Sequence, residues 1–412
     1  MSDPASHQAV EAVFRIESAR LIAGLARFVR DVGLAEELAQ DALVIALERW
    51  PAAGIPGNPA AWLMATAKNR AIDLSRRRKL HDENQHELIP EQPPHPDVAL
   101  DEDVGDDLLR LILISCHPVL SPEARVALTL RLLGGLSTEE IARAFLVPTI
   151  TIQQRIVRAK KTLAEERVPF EVPRGPDLAV RLSSVLEVVY LIFNEGYSAT
   201  AGDDWMRPEL SQDALRLGRI LQALLPQEPE VHGLAALMEI QASRTRARTT
   251  AGGEPILLLD QDRSRWDQLL IRRGLAALAQ AGSLGGAEGP YALQAAIAAC
   301  HARAREASQT DWKRIAELYG KLAQVSGGSP VVELNRAVAV SMAEGPAAGL
   351  AIIDELAKTG ALDGYYLLKS ARADLLAKLG RLDEAREELR QAAALTRNER
   401  ERTLLLARAN SL

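Results

Sequence analysis

Residues 136–161, running LSTEEIARAFLVPTITIQQRIVRAKK, hold two short helical patterns parted by a tight break, and the second carries positive charge with no acid in it. In the first pattern Ile141, Ala142 and Phe145 fall on one side, Ser137 is placed to cap the N-terminus, and Glu140 stands three residues on, where a capping box needs it. Leu146, Val147 and Pro148 then break the periodicity. Pro148 keeps Val147 out of the α region and presets the first turn of the next helix. There Ile152, Ile156, Ala159 and Leu163 share a face, and Gln153, Gln154, Arg155, Arg158, Lys160 and Lys161 fill the remainder. Glutamine can bond adenine N6 and N7 together, and arginine can bond guanine or phosphate, so these side chains suit the major groove of DNA. The outline is a helix–turn–helix and implies contact with nucleic acid. An amphipathic hairpin whose basic face is merely solvated is the plainer alternative.

A chain of 412 residues is far longer than such a unit needs and implies two or three domains. Its hydrophobic share of 47% suffices for packed cores, and an aromatic share of 4% builds them from Leu, Ala, Val and Ile. Runs of Ala and Leu joined by charged residues predict helix nearly throughout, an all-α fold. Cys116 and Cys300 lack metal-ligand spacing and are expected as inert buried thiols in a reducing compartment. The opening MSDPASHQ has no basic stretch followed by an apolar core, and no apolar run is long enough to span a bilayer; a cytoplasmic protein with no membrane partner is the expectation. A net charge of -6 argues against DNA binding by bulk attraction and places any such affinity in local basic segments or with a partner.

Local charge divides the chain into zones. Residues 7–80 form a first helical module, with helices predicted over Val10–Val29, Glu36–Trp50 and Ala60–Lys79 and a Pro/Gly break from Pro51 to Pro59. Within it Lys68, Arg70, Arg76, Arg77, Arg78 and Lys79 face one acid, Asp73. Residues 81–107 hold ten acids, no Lys or Arg, and four prolines between Pro90 and Pro96, the composition of a linker. Residues 108–168 form the second module, which includes the helix–turn–helix. After a hinge at Pro169–Pro176, residues 177–412 read as helix after helix.

The first module contains Ala35-Glu36-Glu37-Leu38-Ala39-Gln40-Asp41-Ala42, Trp62-Leu63, Ala67-Lys68-Asn69-Arg70-Ala71-Ile72-Asp73 and Arg76-Arg77-Arg78. The second contains Leu120-Ser121-Pro122-Glu123, Val126-Ala127-Leu128-Thr129-Leu130-Arg131, Gly135-Leu136-Ser137 and Glu140-Ile141-Ala142. In this order and separation they resemble regions 2 and 4 of an extracytoplasmic-function sigma factor of the sigma-70 family. The remainder, through Phe193-Asn194-Glu195-Gly196-Tyr197-Ser198-Ala199, Asp260–Trp266 and Gly289-Pro290-Tyr291, resembles a subgroup with a C-terminal helical-repeat extension.

The resemblance implies that Glu36, Glu37, Gln40, Asp41 and Glu48 lie exposed and dock on the clamp helices of core RNA polymerase, with Leu38, Ala42 and Ile45 facing inward. It implies that the Pro51–Pro59 loop and Trp62 receive an extruded base of the minus 10 element. Lys68, Arg70, Arg76, Arg77 and Arg78 would hold the adjacent backbone, with Asn58 and Asn69 as further contacts or, in the plainer reading, helix caps. Thr149, Thr151, Gln153, Gln154, Arg155 and Arg158 would read the minus 35 element, with Lys160 and Lys161 on phosphate or the polymerase flap. The residue at Leu146 is commonly glycine in such proteins, so leucine argues against a left-handed turn there. Nucleotidyl transfer belongs to the polymerase; no catalytic residue, cofactor or metal is expected in this chain.

In the C-terminal half, Gly380, Ala385, Leu389 and Ala392 within Tyr366–Asn398 have tetratricopeptide spacing, and Leu334–Ala357, with Ala337 and Gly345, is a weaker copy. Stacked hairpins present a concave surface suited to a regulatory protein. Asp260, Asp262, Arg263, Arg265, Trp266 and Asp267, and Asn194, Glu195 and Tyr197, could suggest hydrolysis or a divalent metal, but no histidine or third ligand completes a site. They read instead as ion pairs, Asp262 with Arg265 and Glu195 with a distant arginine, with Trp205 and Trp266 in the inter-repeat core; His117 reads as structural. Fused to promoter-binding modules, the repeats would inhibit in cis or add polymerase contacts. Two rivals remain: a helix–turn–helix regulator with a repeat effector domain that never docks as a sigma subunit, and a protein-interaction scaffold with solvated basic helices.

Overall fold

The computed structural model describes residues 4–82, 104–199, 204–250 and 252–412, and apart from one isolated bridge, Thr249 to Pro255, its regular structure is helical. The chain divides into two compact units, residues 1–188 and 189–412. The division falls inside a helix, beyond the proline-rich stretch at 169–176.

The first unit holds α1 (Pro4–Val29), α2 (Val32–Ala53), α3 (Pro59–Asp82), α4 (Val104–Ser115), α5 (Pro122–Leu132), α6 (Thr138–Phe145), α7 (Thr149–Glu165) and the first part of α8 (Pro176–Tyr197). α2 starts earlier than its apolar pattern suggests because the Asp31 carboxylate accepts from the Leu34 N–H at 2.9 Å and caps it. It also runs through Pro51 to Ala53, where the Gly54 N–H closes onto the Trp50 carbonyl at 2.8 Å. A proline in the last turn costs little, since only one ladder bond is lost before the helix ends. α1 packs on α2, α3 and α4, and α5 packs on α7. Small buried residues, Ala35, Ala39, Ala42 and Ala46, allow the close approach of α2, with Leu38 and Trp50 filling between them.

Most of the acidic linker, residues 83–103, lies outside the described residues. Its last acids do not belong to a loop. Asp106 and Asp107 form the first turn of α4, where the helix dipole favours negative charge, and Asp107 is buried against Arg27 of α1 (3.2 Å) and Arg110 (2.5 Å). At the other end of α4, Cys116 is fully buried beside Thr129 (3.3 Å), and burial pushes its thiol up to about 12, so it is inert as expected. Cys300 is only half-buried. His117 caps its own turn through Nδ1, which accepts the Val119 N–H at 3.0 Å; burial, then the nearby Arg181 charge, push it down to about 4 and keep it neutral.

The second unit comprises the rest of α8 and α9 (Pro208–Leu224), α10 (Pro229–Ala242), α11 (Gln268–Ser283), α12 (Pro290–Arg303), α13 (Trp312–Val325), α14 (Pro330–Glu344), α15 (Pro346–Lys358), α16 (Tyr366–Lys378), α17 (Leu382–Leu395) and α18 (Glu399–Ser411). α12 packs chiefly on α10, two helices back, and from α13 onward each helix packs chiefly on its sequence neighbours, the contact pattern of a helical repeat. The two repeat signatures are hairpins: α14–α15 and α16–α17, sharing a core of Leu334, Ala337, Leu350, Ile353, Leu368, Leu375, Leu376 and Ala385. Gly380, at φ 77, ends α16 in a conformation that disfavours other residues. Gly349 lets α15 close on α14: a Cβ there would lie 2.6 Å from the Ala337 carbonyl oxygen.

The charged motifs of this unit are structural. Glu195, buried, is paired with Arg207. Arg248 stacks 3.5 Å from the Tyr197 ring and 4.4 Å from that of Trp205, and burial lowers its pKa to about 10. Trp266 is buried under Arg244 and Arg263. Asp262 departs from expectation: its carboxylate accepts from the N–H and hydroxyl of Ser264 (2.9 and 2.6 Å) and caps a short turn instead of pairing directly with Arg265. Trp205 is half-buried, its indole N–H on Glu401 at 3.3 Å. Beside it the buried Asn398 amide, just ahead of the last helix, donates to the carbonyls of Ala199 and Asp204 at 3.3 and 3.1 Å.

Candidate nucleic-acid and polymerase interface

The unit formed by α6 and α7 follows from local chemistry. Ser137 accepts the Glu140 N–H at 3.1 Å while the Glu140 carboxylate accepts the Ser137 N–H at 2.8 Å, the reciprocal box expected from the sequence. Ile141 and Ala142 are buried, and so are Ile152, Ile156, Ala159 and Leu163 of α7. The turn between them corrects one expectation. Leu146 stands at φ 50, ψ 43, the left-handed conformation that leucine was expected to avoid. The cause is the helix end: the Val147 N–H donates to the Ala142 carbonyl at 3.1 Å, and that six-residue closure requires a left-handed residue before it whatever its identity. Because Leu146 is 53% exposed, it offsets little of the strain by burial. Leu146→Gly is therefore expected to stabilise this unit by about 1 kcal/mol, less the entropy that glycine adds to the unfolded chain, read as a higher urea midpoint. A midpoint lowered by the full entropic cost of a glycine, about 0.5–1 kcal/mol, would show that the leucine is not strained.

At about 100° per residue, the buried stripe of α7 spans a sector of about 60°, and Ile150, Gln153, Gln154, Val157 and Lys161 span about 100° on the opposite side. Gln153, Gln154, Arg158 and Lys161 are exposed; Thr149, Thr151, Arg155 and Lys160 stand half-buried on the flanks. Sequence reading passed over Ile150 and Val157, both exposed on the outward stripe. Their signal was their angular position opposite the core residues, which attention to polar side chains alone obscures.

In the first module Glu37 and Glu48 are exposed and Asp41 is half-buried, its carboxylate 3.2 Å from Arg70 Nε. Leu38 and Ala42 are buried and Ile45 half-buried. Glu36, expected among the exposed acceptors, is buried instead. Its carboxylate accepts from Arg131 Nε of α5 at 2.6 Å and from Gln40 at 2.8 Å, and it pairs with Lys160 of α7. One carboxylate thus joins α2 to two helices of the second module, α5 and α7, and Lys160 is drawn away from the outward stripe. Arg131 was not anticipated as a site residue.

Asn58 caps α3, its side-chain oxygen accepting the Ala61 N–H at 3.0 Å. Trp62 packs edge-to-face on Trp50, centroids 5.3 Å apart. Lys68 Nζ lies 6.0 Å from the centre of the Phe28 ring. Asn69 and Arg70 are exposed, and so is Arg76, nearly two helical turns further along α3, while the side chains of Arg77 and Arg78 lie outside the described residues. No group of three or more His, Cys, Asp or Glu able to hold a metal occurs among the described residues, and no helix there is long and apolar enough to cross a membrane.

Residues 14–81 match the family described as Sigma-70 region 2, residues 110–163 match Sigma-70, region 4, and residues 181–282 match a family of unknown function (DUF6596). An uncharacterized protein of Rhizobium meliloti (strain 1021) is 44% identical over 379 residues, which cover 91% of this chain and 89% of that protein. The RNA polymerase sigma-E factor of Streptomyces avermitilis is 29% identical over 156 residues, 38% of this chain and 83% of that protein. The ECF RNA polymerase sigma factor SigK of Mycobacterium ulcerans is 28% identical over 144 residues, 34% of this chain and 75% of that protein. With regions 2 and 4 in their proper order on two helical modules, the chain belongs to the sigma-70 family, resembling its extracytoplasmic-function members and extended by a C-terminal tetratricopeptide-like repeat.

Proposed function

We propose that this protein is an alternative-type sigma subunit: it binds core RNA polymerase in the cytoplasm, selects promoters and helps open them, and its repeat domain regulates that activity. Sigma-70 family proteins are non-catalytic transcription factors, and polymerase supplies the chemistry. The observation that carries the reading is the outward stripe of α7, where Gln153, Gln154 and Lys161 stand exposed opposite a buried apolar face with Arg158 exposed alongside, and with no acid from Thr149 to Lys161. Thr149, Thr151 and Arg155 on its flanks reach phosphates or outer bases of the minus 35 element.

In the first module Glu37, Gln40, Asp41 and Glu48 supply acceptors to the polymerase clamp helices, and Trp62 with Asn58 lies where a minus 10 base leaves the stack. Lys68, Asn69, Arg70, Arg76, Arg77 and Arg78 hold the strand beside it. Strand separation costs a few kcal/mol per step, so capture of an extruded base is useful only beside such charge. The Glu36–Lys160 pair favours one further reading: the two modules are clasped in the free protein, and engagement of polymerase releases Glu36 to the clamp helices and Lys160 to DNA or the flap. The repeats offer a surface for a regulatory protein.

The test uses the full chain with core polymerase. Co-elution on gel filtration, together with initiation at a defined start that core polymerase alone does not use, is the expected result. Failure to co-elute at low salt sinks the proposal.

A further inference from the structure

Two side chains on the outward stripe of α7 have no part in charge or hydrogen bonding: Ile150 is 57% exposed and Val157 is 64% exposed. They stand two turns apart, with Gln153 and Gln154 between them and Arg158 and Lys161 alongside. A partner for this stripe has to offer negative charge at its rim and apolar groups at its floor. The major groove does both, with phosphates along its edges and the C5-methyl of thymine on its floor.

We infer that Ile150 and Val157 are specificity-determining residues that read thymine methyl groups on either side of adenines bonded by Gln153 and Gln154. The inference rests on α7 entering a duplex as proposed above, and it names the kind of sequence bound: an A·T-containing element with thymines at both ends. Ile150 lies in the first turn of α7, the part of a recognition helix that goes deepest into the groove. Along the helix axis the two side chains are about 10 Å apart, from a rise of about 1.5 Å per residue. That spans about three base-pair steps at about 3.4 Å each.

The test is selection from random duplexes by the full chain bound to core polymerase. The upstream element recovered is expected to contain thymines about three base pairs apart. Rebuilding it with deoxyuridine removes only the methyl groups and is expected to weaken binding about fourfold for each thymine read. Ile150→Ala with Val157→Ala should bind thymine and uridine duplexes alike, whereas Val157→Thr, which keeps a methyl, should retain discrimination at its position. Both positions are exposed, so these substitutions leave the core intact.

Equal loss on uridine for wild type and the double variant, or no loss for either, overturns the inference while leaving the sigma reading in place. Unchanged DNA binding by the double variant with weaker retention on polymerase assigns the pair to a protein contact and also overturns it. Recovery of no upstream element at all overturns both this inference and the base-reading role of α7.

Discussion

Glu36→Ala is expected to destabilise the residue 1–188 unit by about 3 kcal/mol, because it leaves Arg131 and Lys160 facing a site emptied of its carboxylate. A buried acid shared by two bases is costly to break from one side even where the intact set adds little net stability. Urea unfolding measures the loss. In the Lys160→Met background the same substitution should cost markedly less, since one of the two stranded charges is already gone. A functional consequence accompanies the structural one: with Lys160 released, the variant free of polymerase should bind duplex DNA more tightly at low salt, and the gain should vanish in Lys160→Met. A loss within about 0.5 kcal/mol would mean that the carboxylate behaves as a surface pair and clasps nothing.

Gln153→Ala combined with Gln154→Ala should lower binding to the selected promoter about 100-fold, taking about 1–3 kcal/mol for each bidentate base contact, with affinity for unrelated DNA unchanged. The salt dependence should stay as it is, because an amide releases no counterion. Lys161→Ala should do the reverse, weakening all sequences alike and flattening the salt slope by about 1. Titrations at several salt concentrations, on specific and unrelated duplexes, separate the two behaviours. If the glutamine pair weakened every duplex equally, α7 would be a backbone-tracking helix and the promoter would be chosen elsewhere.

The elements legible in the sequence are those set by neighbours along the chain. The capping box of Ser137 and Glu140, the buried stripe of α7 and the hairpin carrying Gly380 and Ala385 all follow from spacings of three to seven residues. What escaped was decided by distant partners or by backbone closure. Glu36 looks like any exposed acid on an amphipathic helix; it is buried because Arg131, 95 residues on, reaches it. Leu146 is left-handed because the end of α6 demands it, and side-chain preference gives way at a cost. Asp262 prefers Ser264, two residues away, to the arginine three residues away, since a short side chain bonds its own turn at the smallest loss of freedom. Ile150 and Val157 were hidden for another reason: exposed aliphatic residues are common, and only the helical register reveals that they share a face with the glutamines.

The Asn398 amide, bonded to Ala199 and Asp204, buckles the last helix of the repeat array to its beginning. Open arrays peel from their tips, since a terminal hairpin has a neighbour on one side only. An array fastened at both extremities has no loose tip, so it melts as a single block, and a short trim at its tail is felt at its head.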